Sequence, residues 1–382
     1  MPDQSIKLDL RSYHRAPAAG RHRKLLEPSP GPSPAPSPEP SQSESAVEVD
    51  VASYGAVGDG QHDDTPAFRE AWAAACASPQ PATLVVPREK TYLVKHRSAW
   101  PEENMRWWIM FRNVDGLTVT GDGTIDGNGE TWWKSSCRVD KKLKLLLSRC
   151  NNLTVENIRL LNSQQIHMSV EDCRDVLLKG ITITAPGDSP MNDGIHIART
   201  KDIQVLDCDI KTGDDCMSIE TGTENLYASR ITCGPGHGIS IGSLGNDNSE
   251  ARVSNITIYK AHLSGTTNGA RMKSWQGGKG YAKDVTFEDI TMEEVHNPII
   301  IDQNYCTSPK PCKKQTSAVE FSNIRFKNIR GTSATKEAIK LDCSDTVPCR
   351  DILLQDVKLT FRDRGHKHKH TSATSLCNNA KL

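Results

Sequence analysis

The chain has 382 residues, of which 47 are Lys or Arg and 47 are Asp or Glu, so its formal net charge is zero. This balance excludes a protein that coats nucleic acid through bulk positive charge. Apolar residues make up 36% of the chain and aromatic residues 5%, which is typical of a soluble globular protein. No apolar run approaches the roughly 18 to 20 residues that cross a bilayer. We therefore expect neither nucleic acid nor a membrane as a partner.

Both ends of the chain differ in composition from the middle. Seven prolines alternate with other residues between Pro28 and Pro40, and such a stretch favours solvated polyproline II structure over a packed core. We expect residues 1–46 to be disordered, 47–364 to form one domain, and 365–382 to form a tail. The HKHKH motif of that tail could bind metal, but a solvated tail is the simpler interpretation because no other ligand cluster adjoins it.

A helix is predicted near the start of the domain, in the segment DDTPAFREAWAAACA. Thr65 is expected to be its N-cap, with Pro66 in the first turn. This helix would cover the open end of the domain.

An eightfold repeat begins at residue 153. Apolar residues occupy the first, third, sixth and eighth positions of each unit, and the units open at Leu153, Val176, Ile203, Leu226, Ala251, Val285, Val319 and Ile352. The fifth position tolerates a sharp bend in seven of the eight units, where it is Asn157, Gly180, Asp207, Asn255, Asp289, Asn323 or Asp356. Each unit predicts a strand, a corner and a second strand with one apolar face.

One such unit cannot bury its apolar face alone, but stacked units can. Strands without intervening amphipathic helices predict an all-β fold, a right-handed single-stranded parallel β-helix with a short N-terminal capping helix. A leucine-rich repeat is the main competing interpretation, but its LxxLxLxxN consensus is absent.

Three similar segments recur at equal intervals. DGIHI begins at Asp193, DCMSI at Asp215 and HGISI at His237, each 22 residues after the last. An interval of about one coil places these side chains on successive rungs, separated by the ~4.8 Å spacing of paired strands.

Further charged residues accompany them. Asp214 precedes Asp215, and Arg271 and Lys273 flank a methionine in the next unit. Counted back from the opening residue of the following unit, all six charged residues lie 10 to 14 positions earlier, with Arg271 level with His237. This count predicts that they share one side of the coil.

These residue types suit the cleavage of an anionic polysaccharide. Glycosidic hydrolysis needs one carboxylic acid and one carboxylate, and crowding like charges raises the pKa of at least one of them. Two cations would bind an anionic sugar. Taken singly, the acids could be turn residues, the histidine a turn histidine and the cations a solvated strand face. The repeated 22-residue interval favours a site.

Four motifs carry a family resemblance. SPMNDGIHI (189–197), TGDDCMSI (212–219), CGPGHGISIGSLG (233–245) and ARMK (270–273) resemble, in order and spacing, the motifs of plant polygalacturonases in glycoside hydrolase family 28. The similarity extends from about residue 47 to residue 359 through GAVGDGQHDDTPAF, GDGTIDGNGETWW and IDQNYC. It implies a right-handed parallel β-helix that hydrolyses α-1,4 bonds between galacturonates in pectin, with inversion and without a cofactor or metal.

The resemblance also implies the catalytic roles. Asp214 would be the general acid, while Asp193 and Asp215 would orient and deprotonate the water. His237 would tune the carboxylates and contact the sugar.

The same resemblance implies that Arg271 and Lys273 bind galacturonate carboxylates and that Tyr305 completes the cleft. The family's usual Asn-Thr-Asp motif reads Met191-Asn192-Asp193 here, so Asp193 is kept but Met191 stands where the motif has its Asn. Methionine lacks both hydrogen-bonding functions of the amide, so this change affects substrate positioning. It leaves the acid and the base in place.

The chain contains 12 cysteines, which favours an oxidising compartment. The resemblance implies a Cys216–Cys233 disulfide, and the pairs Cys306–Cys312 and Cys343–Cys349 are close enough for local bridges. Zinc is the rival interpretation, but the chain has no C-x2-C pair. No partner is assigned to the remaining candidates Cys76, Cys173, Cys208 and Cys377. Asn152 and Asn255 begin glycosylation sequons, which matter only if the chain is exported.

The sequence thus predicts a secreted, monomeric polygalacturonase that acts on cell-wall pectin. The first 25 residues contain no apolar stretch typical of a signal peptide, so either the leader is missing from this chain or export is a wrong inference. Three alternatives stay open: a hydrolase of rhamnogalacturonan or substituted pectin, a non-catalytic or weakly active pectin-binding paralogue, and a calcium-dependent pectin lyase.

Overall fold

Alternating apolar residues form short parallel strands that wind around one elongated core. The computed structural model describes residues 8–11, 47–87, 90–93, 109–134, 144–307, 312–362 and 370–381. Each coil adds strands to two large sheets, here called sheet A and sheet B, and neighbouring coils pair in parallel. The architecture is the predicted right-handed parallel β-helix.

Sheet A carries the charged motifs. In spatial order its eleven strands are β1 (Leu8–Arg11), β6 (Ile109–Arg112), β9 (Lys144–Ser148), β12 (Ile166–Glu171), β15 (Ile195–Ala198), β17 (Met217–Ile219), β19 (Ile239–Leu244), β21 (Asn268–Trp275), β23 (Asn297–Tyr305), β25 (Glu337–Asp342) and β29 (Thr374–Asn378).

Sheet B contains the repeat units. Its fourteen strands are β7 (Thr118–Thr120), β8 (Thr124–Asp126), β10 (Asn151–Glu156), β11 (Arg159–Leu161), β13 (Arg174–Lys179), β14 (Thr182–Thr184), β16 (Lys201–Lys211), β18 (Glu224–Cys233), β20 (Glu250–Ser264), β22 (Lys279–Val295), β24 (Glu320–Ser333), β26 (Arg350–Gln355), β27 (Lys358–Arg362) and β28 (His370–Ser372). Two small parallel pairs precede it: β2 (Val47–Asp50) with β4 (Ala82–Val85), and β3 (Asp59–Asp63) with β5 (Thr91–Leu93).

The apolar positions of the repeat stack into continuous ladders inside the coil. One ladder pairs, in order, Leu153, Val176, Ile203, Leu226, Ile256, Val285, Ile324 and Ile352. Two predicted openings are therefore wrong, because Ile256 and not Ala251, and Ile324 and not Val319, lie in register. Within each unit, the apolar residues of the second strand repeat the spacing of the first strand five residues later. The sequence pattern therefore fits equally well when it is shifted by five residues.

Every predicted corner is a left-handed residue. The eight fifth-position residues, including Arg230, have φ between +52° and +62° without exception. Asn and Asp tolerate this region better than other non-glycine residues. Arg230 is held there by hydrogen bonds to Asp207, one of them 2.8 Å long from Nη2 to Oδ2.

The first coil is covered by helix α1 (Thr65–Ala77). Its N-cap is Asp64 and not the predicted Thr65. The Asp64 carboxylate accepts a 2.7 Å bond from the Val57 amide, while the Thr65 hydroxyl donates to Asp63 Oδ1 at 2.6 Å. Trp72 packs against both the small core under α1 and the long core of the coil. The prediction missed a second helix, α2 (Glu130–Lys134), which is only five residues long.

The terminal segments differ in part from their predictions. Within 1–46, Leu8–Arg11 form strand β1, because their backbone pairs in parallel with β6 at the edge of sheet A. The rest of 1–46 lies outside the described residues, and its disorder stays a prediction. The predicted solvated tail instead supplies β28 and β29, which pair with β27 and β25 and continue both sheets. Most of HKHKH, residues 366–369, lies outside the described part.

Among the described helices, none has the length and apolar character needed to span a bilayer.

Candidate active site

The three equally spaced segments lie on successive rungs of sheet A. Ile195, Met217 and Ile239 pair in parallel, so the residues two positions earlier, Asp193 and its counterparts, are stacked. A hydrogen bond of 2.9 Å from the Gly194 amide to the Asp215 carbonyl continues this register. The spacing of 22 residues therefore predicted the stacking of Asp193, Asp215 and His237.

Asp215 forms the buried centre of the site. Its side chain is only 3% exposed. One carboxylate oxygen accepts hydrogen bonds from Arg271 and, at 3.0 Å, from the Ser240 hydroxyl, and the other accepts a 2.9 Å bond from Lys273 Nζ. Ser240 lies on β19, and both cations lie on β21, two rungs from Asp215. This carboxylate therefore links its own rung to the next two.

The position of Arg271 along its strand differs from the prediction. Arg271 pairs with Ser240, and its Nε donates to the Ser240 hydroxyl at 2.8 Å. It is therefore not level with His237, as counting back from the next unit suggested. The count fails because the loops between sheets A and B differ in length, and because Ala251 was the wrong reference. The side chain still reaches the same carboxylate.

Asp214 and His237 form a second, more accessible pair. The Nδ1 atom of His237 lies 2.8 Å from Asp214 Oδ1, and the side chains are 40% and 18% exposed, respectively. The His237 amide also donates to the Asp214 carbonyl at 2.7 Å. Asp214 is thus positioned at the mouth of the site, where a substrate oxygen could approach it.

Asp193 completes the set of acids from the preceding rung. Its Oδ2 accepts a 2.7 Å bond from the Ser218 hydroxyl, and His196 Nδ1 lies 2.9 Å from the same hydroxyl oxygen. Sequence reasoning missed Ser218, Ser240 and His196. The alternation in DGIHI, DCMSI and HGISI could have identified them. The fourth residue of each motif lies on the same outward face of the strand as the acids.

The environments of the buried acids push their pKa values apart. Burial, followed by the charges of Asp214 and Asp215, raises the pKa of Asp193 well above its usual value. Burial also acts to raise the pKa of Asp215, but the charges of Arg271 and Lys273 outweigh it and the pKa is lowered. One carboxyl therefore keeps its proton at a pH where the other is ionised.

Tyr305 lies beside Lys273. Lys273 Nζ is 5.3 Å from the centroid of the Tyr305 ring, and Trp275 packs edge-on against that ring at 5.1 Å. Burial acts to lower the pKa of Lys273, but the charge of Asp215 outweighs it and the pKa is raised. Lys273 is therefore a fixed cation in the cleft.

Met191 and Asn192 occupy the altered motif. Met191 is 38% exposed and has φ of +52°. Asn192 is fully buried, and its amide donates to the carbonyls of Ser163 and Gln165 at 2.7 and 2.6 Å. The buried amide thus anchors the loop beside Asp193, while the methionine side chain faces solvent.

A fourth carboxyl near the site was not predicted. Glu220 follows strand β17, and burial raises its pKa to about 7 against the opposing charge of Lys273. The sequence offered no signal beyond its place five residues after Asp215, because a single glutamate at a strand end is usually solvated.

All three predicted disulfides are present: Cys216–Cys233, Cys306–Cys312 and Cys343–Cys349. The cysteines left without partners, Cys76, Cys173, Cys208 and Cys377, are free, as is Cys150. The candidate glycosylation residues Asn152 and Asn255 are both exposed.

Three side chains of the site lie close enough together to be tested as ligands of a metal ion. Asp214, Asp215 and His237 place potential ligand atoms within 4.8 Å of one another. Arg271 and Lys273 already engage both oxygens of Asp215, and their charge opposes a cation. The arrangement suits acid and base chemistry on an anionic substrate better than metal binding.

Comparison with known proteins places this arrangement in a family. The model of the glycosyl hydrolases family 28 matches residues 80–381, and the chain belongs to that family. It is therefore a glycoside hydrolase with a parallel β-helix fold.

Two relatives with more than 40% sequence identity are plant polygalacturonases. The chain is similar to polygalacturonase QRT2 of Arabidopsis thaliana, with 45% identity over 87% of this chain and 81% of that protein. It is also similar to polygalacturonase-2 of Solanum lycopersicum, with 44% identity over 85% of this chain and 77% of that protein. Among solved structures, an endo-xylogalacturonan hydrolase from Aspergillus tubingensis has the same fold, with a TM-score of 0.72, 22% identity, and coverage of 87% of this chain and 100% of that one.

Proposed function

We propose that the protein hydrolyses α-1,4 bonds between galacturonates in pectin by an inverting acid and base mechanism. The observation that carries this proposal is the convergence of Asp193, Asp214 and Asp215 with two cations on consecutive rungs. The similarity to plant polygalacturonases supports the choice of substrate. No cofactor takes part in the proposed reaction.

Asp214 is the proposed general acid, because it is the more accessible of the paired acids and His237 holds its carboxyl at 2.8 Å. Proton transfer from Asp214 to the glycosidic oxygen releases the leaving sugar. Asp193 and Asp215 hold a water on the opposite face of the sugar, and the ionised Asp215 is the member of this pair that can accept a proton.

Substrate binding follows from the two fixed cations. The Arg271 guanidinium can hold a sugar carboxylate through two parallel hydrogen bonds, and the Lys273 ammonium acts as a point charge. The ring of Tyr305, beside Lys273, offers an apolar face to the sugar. A neutral protein thus acquires local affinity for an anionic polymer.

The Asp214→Asn variant tests the proposal, because an amide cannot donate an acid proton. We expect the release of reducing ends from polygalacturonate to fall by a factor of about 10² to 10⁴. Asp247→Asn, a change at an exposed loop residue, is the matched control and should keep wild-type activity. Full activity in Asp214→Asn would refute the assignment of the acid.

The same assay separates the alternatives. A hydrolase of rhamnogalacturonan or substituted pectin would give a different product profile across pectin backbones, and a lyase would need metal and give products that absorb in the ultraviolet. A pectin-binding paralogue would bind polygalacturonate without turnover. The complete set of acids, base and cations favours hydrolysis over binding alone.

We also propose that the protein is secreted to the cell wall and acts there as a monomer. Its three disulfides support an oxidising compartment. The exposure of Asn152 and Asn255 makes both accessible to glycosylation during export.

A further inference from the structure

Glu220 and Lys273 belong to the same column of outward-facing positions on sheet A. Ile219 pairs with Ile241, and Ile241 pairs with Met272. The next residues along these three strands are Glu220, Gly242 and Lys273. The acid and the amine therefore lie two rungs apart, on the same face as the catalytic carboxylates.

The rung between them places no side chain in this column. Its residue in this column is Gly242, which has no side chain and a φ of +107°, and a Cβ atom there would lie 2.2 Å from the Lys273 carbonyl oxygen. The pairing of β19 with β21 is irregular at this point, and β-bulges of this kind re-aim neighbouring side chains. In this column the middle rung therefore contributes backbone atoms alone.

The charges around Glu220 are few. The groups that act on it are Lys273 and Asp215, together with a hydrogen bond from the Ser243 backbone. The preceding rung carries Arg199, whose guanidinium is committed to ion pairs with Glu171 and Asp172, at 3.0 and 2.7 Å. Lys273 is therefore the cation that an ionised Glu220 attracts.

We propose that Glu220 is a specificity-determining residue, whose ionised carboxylate competes with a sugar carboxylate for Lys273. The proposal rests on the proposed role of Lys273 in binding galacturonate. When Glu220 is protonated, Lys273 has one carboxylate partner within the protein, Asp215, and its remaining charge faces the substrate. When Glu220 is ionised, it adds a negative charge to the cleft and repels an anionic sugar, whereas a methyl-esterified sugar feels no such repulsion.

The burial that raises the pKa of Glu220 to about 7 puts this change within the working range of an enzyme. The ionised fraction increases as pH rises through about 7. Binding of an anionic substrate should therefore weaken from pH 5 to pH 8, and the effect should appear in KM more than in kcat.

The test compares wild type with Glu220→Gln on polygalacturonate at pH 5 and pH 8. The amide keeps the shape of the side chain and cannot ionise. We expect the ratio of KM at pH 8 to KM at pH 5 to be about five- to tenfold smaller in Glu220→Gln, the size of one screened charge at close range. Glu224→Gln removes a carboxylate that pairs with Lys201 on sheet B, and it should keep the wild-type ratio.

An unchanged ratio in Glu220→Gln would overturn the proposal, as would an equal fall in KM at both pH values. Glu220→Ala provides the same comparison if the glutamine variant does not fold. On a highly methyl-esterified pectin, the difference between wild type and variant should shrink, and a difference of the same size would also count against competition for Lys273. Failure of the proposed function is distinct, since wild type itself would then release no reducing ends from polygalacturonate at either pH.

Discussion

The backbone at Met191 adopts a conformation that its side chain disfavours. With φ of +52° the residue lies in the left-handed region, where a residue other than Gly, Asn or Asp costs on the order of 1 kcal/mol. Its side chain is 38% exposed, so little packing offsets that cost. An Asn at this position would satisfy the same backbone with less strain.

Met191→Asn should therefore stabilise the protein. We expect the free energy of unfolding to increase by about 0.5 to 1 kcal/mol, measured by urea denaturation. Met191→Leu, which keeps an apolar side chain on the same backbone, should give no gain. Equal stability in the two variants would show that the left-handed backbone is not the source of the effect. An accompanying increase in kcat/KM would indicate that the restored amide also contacts the sugar.

The sequence predicted the charged residues of the site, but not all of the side chains that form hydrogen bonds with them. Equal spacing was enough to stack Asp193 and Asp215, because a regular coil repeats at a regular interval. It could not relate Glu220 to Lys273, because their proximity depends on the irregular pairing at Gly242 and on the lengths of loops between sheets.

Two ladders of left-handed corner residues run along the strands of sheet B. The residues immediately before the aligned openings are all Asn or Asp, with φ between +50° and +59°: Asn152, Asp175, Asp202, Asn225, Asn255, Asp284, Asn323 and Asp351. Side chains in this ladder bond from rung to rung, as in the 2.8 Å bond from Asn255 to Asn225 and the 2.7 Å bond from Asn225 to Asp202. The ladder stabilises both the corner and the stacking of coils.

Substitutions at Asn255 should separate these two contributions. Asn255→Gly loses the amide bond to Asn225 but adopts the left-handed backbone freely, so we expect a loss of about 1 kcal/mol in the free energy of unfolding. Asn255→Ala also places a Cβ in that region and should lose about 2 kcal/mol. Equal losses, measured by denaturant unfolding, would contradict a separate contribution from the backbone.

The same ladders explain why the repeat was predictable and its register only partly so. Apolar alternation and bend residues identified each strand and corner. Corners occur at two positions of each unit, however. Asn255 and Asn323 were taken as fifth positions, although each directly precedes the aligned opening of its unit, Ile256 or Ile324. Only pairing between distant strands, such as Leu226 with Ile256, fixes the correct choice.

The whole molecule depends on how the end of the coil is covered. A stack of parallel strands leaves an open apolar end, which invites association with other chains. Helix α1 covers this end through Trp72, whose ring packs edge-on against Phe111 of β6 at 5.4 Å. Trp72 and Phe111 both pack against the small core under α1 and against the long core of the coil, and so they join the two cores.

Trp72→Ala should therefore destabilise the protein and make it self-associate. Since the ring is only partly buried, we expect a loss of about 2 to 3 kcal/mol, at or below the lower end of the range for truncating a large buried aromatic side chain. Denaturant unfolding and light scattering measure the two effects. Leu353→Ala, at a side chain that is 41% exposed, should lose no more than about 0.5 kcal/mol. A monomeric Trp72→Ala protein of wild-type stability would show that α1 is not the cap.

The ion pairs of Asp215 join positions 56 and 58 residues apart in the chain. Neither cation can reach the carboxylate until the intervening coils have wound and stacked. A nascent chain that has not yet been completed through Lys273 contains the acids without the groups that hold Asp215 ionised. The assembled site therefore requires the coil to be wound as far as strand β21, and truncation before Lys273 removes it.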